Sequence, residues 1–257
     1  MQRKRSGDAF ELHGGDRGIL LMHGFSGSPD EVRDLGARLH ADGYSVIAPA
    51  LPGHSGDVRE LDHVTVEGYL DWALAKYEAM EREFRSVHVV GFSMGGALGL
   101  HIAQHKRPAT VVTINTPVRM PSHVFRGVHL VARHRAQTHL PVNPNAYFGV
   151  IGYPTVPASA VATFLAVLAR VREGLPDVHT PLLVMHSARD LTVPSANAAL
   201  IDASVGSRDR NVLVFKEGQH LMTVGRWLDV IEPHISGFLA RADRGRARDG
   251  RTSSRSF

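Results

Sequence analysis

The residues best suited to chemistry in this sequence form a serine framed by glycines, Gly91-Phe92-Ser93-Met94-Gly95-Gly96. The β-branched run Val87–Val90 precedes the motif, and a run of small residues typical of a helix follows it. A strand, a sharp turn and a helix in that order lift a serine hydroxyl out of the turn at a strained backbone conformation. The pattern therefore predicts Ser93 as a nucleophile. A glycine-rich turn with a passive serine is the alternative.

A serine hydroxyl is a weak nucleophile at neutral pH, so it needs a base that is itself held in place. Asp190 and His220 each follow a predicted strand, and the chain order is Ser93, Asp190, His220. We expect His220 to take the proton of Ser93 and Asp190 to orient the imidazole. Two alternatives stay open. Asp190 could cap the helix that follows it, or Asp177 could be the acid, although Asp177 precedes its strand.

Acyl transfer also requires N–H donors that stabilise the developing oxyanion. We expect one donor to be the backbone N–H of Met94, which follows the nucleophile. The other is expected from Phe25, in the His23-Gly24-Phe25 loop after the first buried strand. His23 and His54 are interpreted as residues that fix their loops rather than as further bases.

The elements that must position these residues alternate between strand and helix. Apolar runs predict strands near 18–22, 44–48, 87–90, 110–114, 182–186 and 212–215. Periodic apolar positions predict helices near 29–40, 65–84, 96–104, 158–172, 194–204 and 224–240. Such alternation predicts a mostly parallel sheet with helices on both faces and functional loops at the carboxyl ends of the strands. Ser28, followed by Glu31 three residues later, predicts a capping box at the first helix.

One segment, 117–157, interrupts this alternation with six prolines and an aromatic cluster, and we interpret it as a small cap insertion. The domain is expected over 9–240, with 1–8 and the Arg-rich 241–257 disordered. Several apolar side chains are candidates for a substrate pocket, although each could equally belong to the core: Phe25, Met94, Val124, Phe125, Phe148 and Leu221.

Composition limits the classes of partner. The 257 residues, 43% hydrophobic and 21% charged, suit one large α/β domain. No apolar run reaches the roughly 18 residues of a membrane span, and the first residues lack the apolar core of a secretory signal. We therefore expect a cytoplasmic protein without stable membrane insertion. The lack of cysteine excludes disulfides and zinc–thiolate sites, and we expect neither a metal nor an organic cofactor. The net charge of +4 lies largely in the two ends, so no nucleic-acid partner is expected.

Together these motifs resemble the α/β-hydrolase superfamily, and within it the small bacterial carboxylesterases and monoacylglycerol lipases. The likeness rests on 20–28, 51–54 and 91–96 and on the segments around Asp190 and His220. It implies an α/β-hydrolase fold and a serine carboxylic-ester hydrolase that acts through an acyl-enzyme. The apolar candidates indicate a short- to medium-chain acyl ester as the small-molecule substrate. The segment 117–157 shares little with the helical, charged caps of that group.

Other functions stay open beside this one. A thioesterase, an acyltransferase or a cofactor-free haloperoxidase would use the same three residues with a different acceptor or acyl carrier. A non-catalytic binding protein on this fold often loses one of the three, whereas all are present here. A protein that binds RNA or a membrane surface through its Arg-rich tail would lose salt-sensitive binding on truncation after Ala240. The oligomeric state is left open.

Overall fold

A computed structural model describes residues 7–121, 138–141 and 152–253, with side chains as far as residue 246. In these ranges the strands are β1 (Phe10–Leu12), β2 (Arg17–Met22), β3 (Ser45–Ala48), β4 (Ser86–Phe92), β5 (Val111–Ile114), β6 (His139–Pro141), β7 (Thr155–Pro157), β8 (Leu182–Ser187) and β9 (Arg210–Phe215). The α-helices are α1 (Asp30–Ala41), α2 (Val66–Glu83), α3 (Met94–His105), α4 (Ala158–Glu173), α5 (Ala196–Ser204) and α6 (Leu228–Ser253). Short 3₁₀ helices span Val58–His63, Leu175–Asp177 and Gly225–Trp227.

A seven-stranded sheet in the order β1-β3-β2-β4-β5-β8-β9 forms the centre of the molecule. Its neighbouring strands run parallel, except that β1 pairs antiparallel with β3. β6 and β7 pair with each other in a separate antiparallel ribbon. The predicted α/β-hydrolase fold with a mostly parallel sheet is confirmed.

Side chains of the central strands alternate between two apolar layers, as the period of two in a strand requires. Leu20, Val89 and Val111 face one layer, which α2, α3, α4 and α5 cover. Ile19 and Val90 face the other layer, which α1 and α6 cover. Because both faces are covered, the free edge at the carboxyl ends of the strands is where loops from different strands can meet.

The last helix extends past the predicted end of the domain. The sequence predicts disorder from residue 241 onwards, whereas α6 continues to Ser253. The reason is Asp243, whose Oδ2 accepts hydrogen bonds from Arg17 Nη1 at 2.8 Å and from Tyr44 Oη at 2.7 Å. Its Oδ1 lies 3.2 Å from His88 Nε2. One partly buried carboxylate thus anchors a segment whose composition is typical of a solvated tail.

None of the helices in the described ranges is both long and apolar enough to cross a bilayer.

Candidate active site

The turn between β4 and α3 holds Ser93 in a strained conformation, with φ 52° and ψ −119°. Positive φ is uncommon for a residue with a side chain and persists only where the surroundings enforce it. Here the Ser93 N–H donates to the carbonyl of Ile114 at 2.8 Å. A β-carbon on Gly91 would lie 2.3 Å from the Gly95 carbonyl, and one on Gly95 would lie 2.3 Å from the Met22 carbonyl oxygen. The crowding explains why glycine stands at both positions.

The three residues predicted to act together lie in contact. Nε2 of His220 is 3.1 Å from Oγ of Ser93, and Nδ1 of His220 is 2.7 Å from Oδ2 of Asp190. Oδ1 of Asp190 accepts the backbone N–H groups of Thr192 and Val193 at 2.8 and 2.9 Å. Ser93 and Asp190 are buried, and His220 is half-buried. Since both relay distances are within hydrogen-bond range, the hydroxyl proton has a direct path to the imidazole.

The alternative roles for the acid do not fit the structure. α5 begins at Ala196 without a side-chain cap hydrogen bond, so Asp190 does not cap it. Asp177 ends a 3₁₀ helix that precedes β8, at the end of that strand opposite to Ser187. Asp190 therefore remains the carboxylate that the geometry offers to His220.

A second histidine, His186, lies beside Asp190 but is not part of the relay, which is the chain of hydrogen bonds that joins Ser93, His220 and Asp190. Nε2 of His186 donates to the Val193 carbonyl at 3.1 Å and lies 3.8 Å from Oδ2 of Asp190. Burial lowers the pKa of His186, which keeps the ring neutral. Across the described part of the chain, no group of three or more His, Asp or Glu side chains is arranged to hold a metal ion.

The loop 23–28 lies directly against the serine. A β-carbon on Gly24 would stand 3.2 Å from Cβ of Ser93, which brings the following peptide group of Phe25 close to the site. Met94 is the first residue of α3, so its N–H is one of those that have no acceptor within the helix. The positive end of the helix dipole also points there. The arrangement is compatible with oxyanion donors at Phe25 and Met94, and their role stays a prediction.

Two buried histidines fix this loop, as the sequence interpretation proposed. Each donates its Nδ1–H to a nearby backbone carbonyl at 2.8 Å. Nε2 of His23 accepts the Leu51 N–H and Nε2 of His54 accepts the Ser26 N–H, both at 3.0 Å. These partners assign the tautomers, because a carbonyl only accepts and an N–H only donates. Burial lowers the pKa of His54 to about 4 and that of His23 well below its usual range, so both rings are neutral.

Comparison with known proteins shows the family to which this chain belongs. Residues 19–232 match a family model described as the alpha/beta hydrolase family. The chain belongs to that family. Over 237 residues this α/β hydrolase is 25% identical to a carboxylesterase from Bacillus subtilis (strain 168), which covers 91% of this chain and 96% of the relative. Over 232 residues it is 26% identical to a thermostable monoacylglycerol lipase from Bacillus sp. (strain H-257), which covers 89% and 90% respectively.

A solved structure from work on two metagenome-derived lipolytic enzymes, LipS and LipT, superposes on this α/β hydrolase with a TM-score of 0.85. The two chains are 27% identical, and the alignment covers 91% of this chain and 98% of the other. The likeness thus extends over nearly the whole of both molecules.

Glu31 is a site residue of this α/β hydrolase that sequence reasoning assigned wrongly. α1 begins at Asp30 with Pro29 as its N-cap, whereas the predicted capping box requires Ser28 at that position. Oε2 of Glu31 instead accepts the Gly24 N–H at 2.8 Å. A β-carbon on Gly27 would lie 2.2 Å from that carboxyl group, so the loop wraps around it. Burial raises the pKa of Glu31 to about 8, which makes the neutral acid the main form at neutral pH.

The six predicted pocket residues fall into three groups. Phe25 belongs to the loop 23–28 beside the serine. Met94 and Leu221 are buried in the apolar layers on opposite faces of the sheet. Val124, Phe125 and Phe148 lie outside the described residues. The pocket role of all six stays a prediction.

Two aromatic residues that the sequence did not single out for this site contact its loop. The ring of Phe164, on α4, stacks on Phe25 with centroids 4.9 Å apart and planes 7° apart. Tyr153 donates its backbone N–H to the Ser26 carbonyl at 2.8 Å, and its hydroxyl lies 3.1 Å from the Gly53 carbonyl oxygen. Tyr153 belongs to the aromatic cluster of the predicted cap, which was the available signal. Phe164 has the spacing of an ordinary core residue.

Proposed function

We propose that this α/β hydrolase is a serine carboxylic-ester hydrolase that acts on short- to medium-chain acyl esters through an acyl-enzyme. The observation that carries the proposal is the continuous relay from Ser93 Oγ to His220 Nε2 at 3.1 Å and from His220 Nδ1 to Asp190 Oδ2 at 2.7 Å. Whole-length similarity to a carboxylesterase and to a monoacylglycerol lipase supports an ester as the substrate.

In the first half of the proposed reaction, Oγ of Ser93 attacks the ester carbonyl carbon while Nε2 of His220 takes the hydroxyl proton. The carbonyl π electrons move onto oxygen, and the N–H groups of Phe25 and Met94 stabilise that charge. Asp190 stabilises the imidazolium through Nδ1. When the tetrahedral intermediate collapses, the bond to the alkoxy oxygen breaks and Nε2 returns its proton to the leaving alcohol. Ser93 is then acylated.

In the second half, water replaces the alcohol. His220 takes a proton from water as its oxygen attacks the acyl carbon, and the bond to Oγ of Ser93 then breaks. Oγ recovers a proton from the imidazolium, and the carboxylic acid leaves. The stacked rings of Phe25 and Phe164 form an apolar wall beside the loop, which favours an acyl chain over a charged group at that point.

The proposal is tested by hydrolysis of p-nitrophenyl esters from acetate to palmitate. We expect wild type to turn over with an optimum among the shorter chains, and Ser93→Ala to lose roughly 10⁴–10⁶ in kcat. Ser236→Ala, on the outer helix α6, is the matched control and keeps wild-type turnover. Turnover that survives in Ser93→Ala contradicts the proposed nucleophile.

Labelling with a fluorophosphonate distinguishes the remaining functions. A wild-type protein that is labelled at Ser93 but hydrolyses no simple ester uses the same relay on a specialised acyl donor, such as a thioester. A protein that neither hydrolyses esters nor takes the label is a binding protein on this fold, and the proposal is then wrong.

A further inference from the structure

One amide side chain joins the two loops that carry Asp190 and His220. These loops leave the carboxyl ends of β8 and β9, and between Ser93 and β8 the chain passes through β5. Asn115 is the residue directly after β5, and it is completely buried. Its backbone N–H donates to the Met185 carbonyl at 2.9 Å, which ties it to β8.

The two ends of the Asn115 side chain bind different loops. Oδ1 accepts the N–H of Ser187, three residues before Asp190, at 2.8 Å. Nδ2 donates to the carbonyl of Gln219 at 3.0 Å and to that of His220 at 2.5 Å. The acceptor end thus holds the loop of the acid, and the donor end holds the backbone of the base itself.

Only a small amide satisfies this position. Asn115 has φ 47°, in the left-handed region where asparagine, aspartate and glycine are the tolerated residues. The contacts require one acceptor and two donors on a short side chain, which asparagine alone supplies among those three. A carboxylate would turn an oxygen toward two carbonyl oxygens, and glycine would leave all three backbone groups without this partner.

The loop of His220 needs such a restraint because of how it begins. Gly218 has φ 125°, a backbone conformation that glycine adopts without steric cost. Because glycine is also free to adopt other conformations, this residue does not by itself fix the direction of the loop. A β-carbon there would lie 3.1 Å from Oγ of Ser187, so the two loops pack against each other at this point. The amide of Asn115 therefore sets the distance between the loops.

We propose that Asn115 is a positioning residue, which holds the His220 ring at hydrogen-bond distance from both Ser93 and Asp190. The inference rests on the proposed function, since it assigns Asn115 a part in activating the serine. A misplacement of about 1 Å in a reacting group can cost on the order of 10² in rate. Loss of the amide should therefore lower kcat and the labelling rate much more than it changes KM.

The test compares Asn115→Gly and Asn115→Asp with Thr110→Ala. Asn115→Gly keeps the backbone freedom and removes the amide, and Asn115→Asp keeps the shape but replaces both donors. Thr110 directly precedes β5, at the opposite end of the same strand, and is buried with its Oγ1 2.9 Å from Nδ1 of His88. It therefore controls for the loss of a buried hydrogen bond away from the relay.

We expect both Asn115 variants to be labelled by a fluorophosphonate on the order of 10²-fold more slowly than wild type, with Thr110→Ala labelled at the wild-type rate. Folded fractions are matched beforehand by thermal unfolding. If either Asn115 variant folds and is labelled as fast as wild type, Asn115 acts on stability alone and the inference is wrong. If neither variant folds, Asn115 is a determinant of folding, and the inference is likewise overturned.

A second readout separates this inference from the proposed function. The Nδ1–H proton of His220 that faces Asp190 is observed by NMR in the resting protein, and His220→Gln assigns it. We expect the resonance to move or disappear in Asn115→Gly and to persist in Thr110→Ala. If wild type takes no label, the serine-hydrolase proposal fails, while positioning of His220 by Asn115 is still decided by this resonance. An unchanged resonance in Asn115→Gly contradicts it.

Discussion

At the scale of single residues, Glu31 couples the loop beside the serine to the proton concentration. The side chain is 4% exposed and its carboxyl accepts the Gly24 N–H. Burial raises its pKa to about 8. An unfolded chain releases the same proton near the usual pKa of about 4.3. Between these values Glu31 carries one proton more in the folded protein than in the unfolded chain, so its contribution to the free energy of unfolding falls as the pH rises through this window.

Glu31→Gln should abolish that dependence, because the amide keeps an oxygen for the Gly24 N–H and never ionises. We expect the free energy of unfolding of Glu31→Gln, relative to that of wild type, to increase as the pH rises from about 5 to about 8. Urea unfolding at a series of pH values measures the difference. Glu11→Gln is the control, since that carboxylate is exposed. A constant difference between Glu31→Gln and wild type would show that the carboxyl does not titrate in this window.

Local pattern and tertiary contact account for what the sequence could and could not predict here. Ser93, Asp190 and His220 could be found because each lies within five residues after a strand with its own apolar signal, and parallel strands end at one edge. Glu31 could not, because a glutamate three residues after a serine has the same spacing whether it caps the helix or turns into a loop. Asn115 could not be found either, because it follows a strand with no motif around it. Its three side-chain hydrogen bonds join loops that are far apart in the sequence and are visible only in the folded structure.

At the scale of elements, the contacts of one side chain hold the end of α6 against the rest of the protein. The sequence from 241 to 246 is dominated by arginine, and composition predicts a solvated tail. Composition is an average over the segment, however, and does not show that Asp243 contacts Arg17, Tyr44 and His88. Burial alone would raise the pKa of Asp243, but the hydrogen bonds from His88 and Tyr44 outweigh burial and hold it at about 2.

Asp243→Asn should therefore destabilise the protein strongly at neutral pH. The ion pair with Arg17 is partly buried, with side chains 28% and 11% exposed for Arg17 and Asp243, and a hydrogen bond to a charged group contributes about 1.5–3 kcal/mol. Because the folded pKa is depressed, this contribution is present above the usual pKa of about 4 and is lost as the pH falls toward about 2. Chemical unfolding should thus show a difference in the free energy of unfolding between wild type and Asp243→Asn that is present at neutral pH and disappears in acid.

Asp229→Asn, on the same helix, is the matched control for that experiment. Asp229 pairs with Arg38 at 2.5 Å, but its side chain is 66% exposed. Exposed pairs contribute less than about 1 kcal/mol. Equal losses in the two variants would mean that the contacts of Asp243 with the sheet do not hold α6 in solution.

The ribbon of β6 and β7 marks the limit of element prediction. Each strand has three residues and ends in a proline, Pro141 or Pro157. Strands this short show no period of two, and proline itself argues against a strand. The sequence therefore indicates only that the alternation of strands and helices is interrupted there, whereas the long helices and central strands carry enough apolar periodicity to be predicted.

At the scale of the whole molecule, buried neutral histidines set the response to acid. Burial lowers the pKa of four of them, His23, His54, His101 and His186. In an unfolded chain the pKa of a histidine is about 6.5. Below it these four positions hold more protons in the unfolded chain than in the folded protein, so their contribution to the free energy of unfolding falls as the pH falls. Since two of these rings fix the loop beside the serine, activity should be lost along with the fold.

His101 allows this argument to be tested away from the site. It lies on α3, its pKa is lowered to about 4 by burial and by the neighbouring His105, and its Nε2 has no hydrogen-bond partner among the described residues. Leucine removes the unpaired Nε2, and it gives up only the 3.3 Å hydrogen bond between Nδ1 of His101 and Oε1 of Gln104. We expect His101→Leu to change the free energy of unfolding by no more than about 1 kcal/mol at neutral pH and to exceed wild type in stability near about pH 5.

Urea unfolding from neutral pH into acid decides the matter, with His13→Leu as the control because that side chain is 67% exposed. If His101→Leu and wild type lose stability in parallel, protonation of this ring does not drive acid unfolding, and the loop histidines would have to carry the effect. If the variant resists acid while His13→Leu does not, the acid limit of the molecule is the summed cost of keeping buried rings neutral.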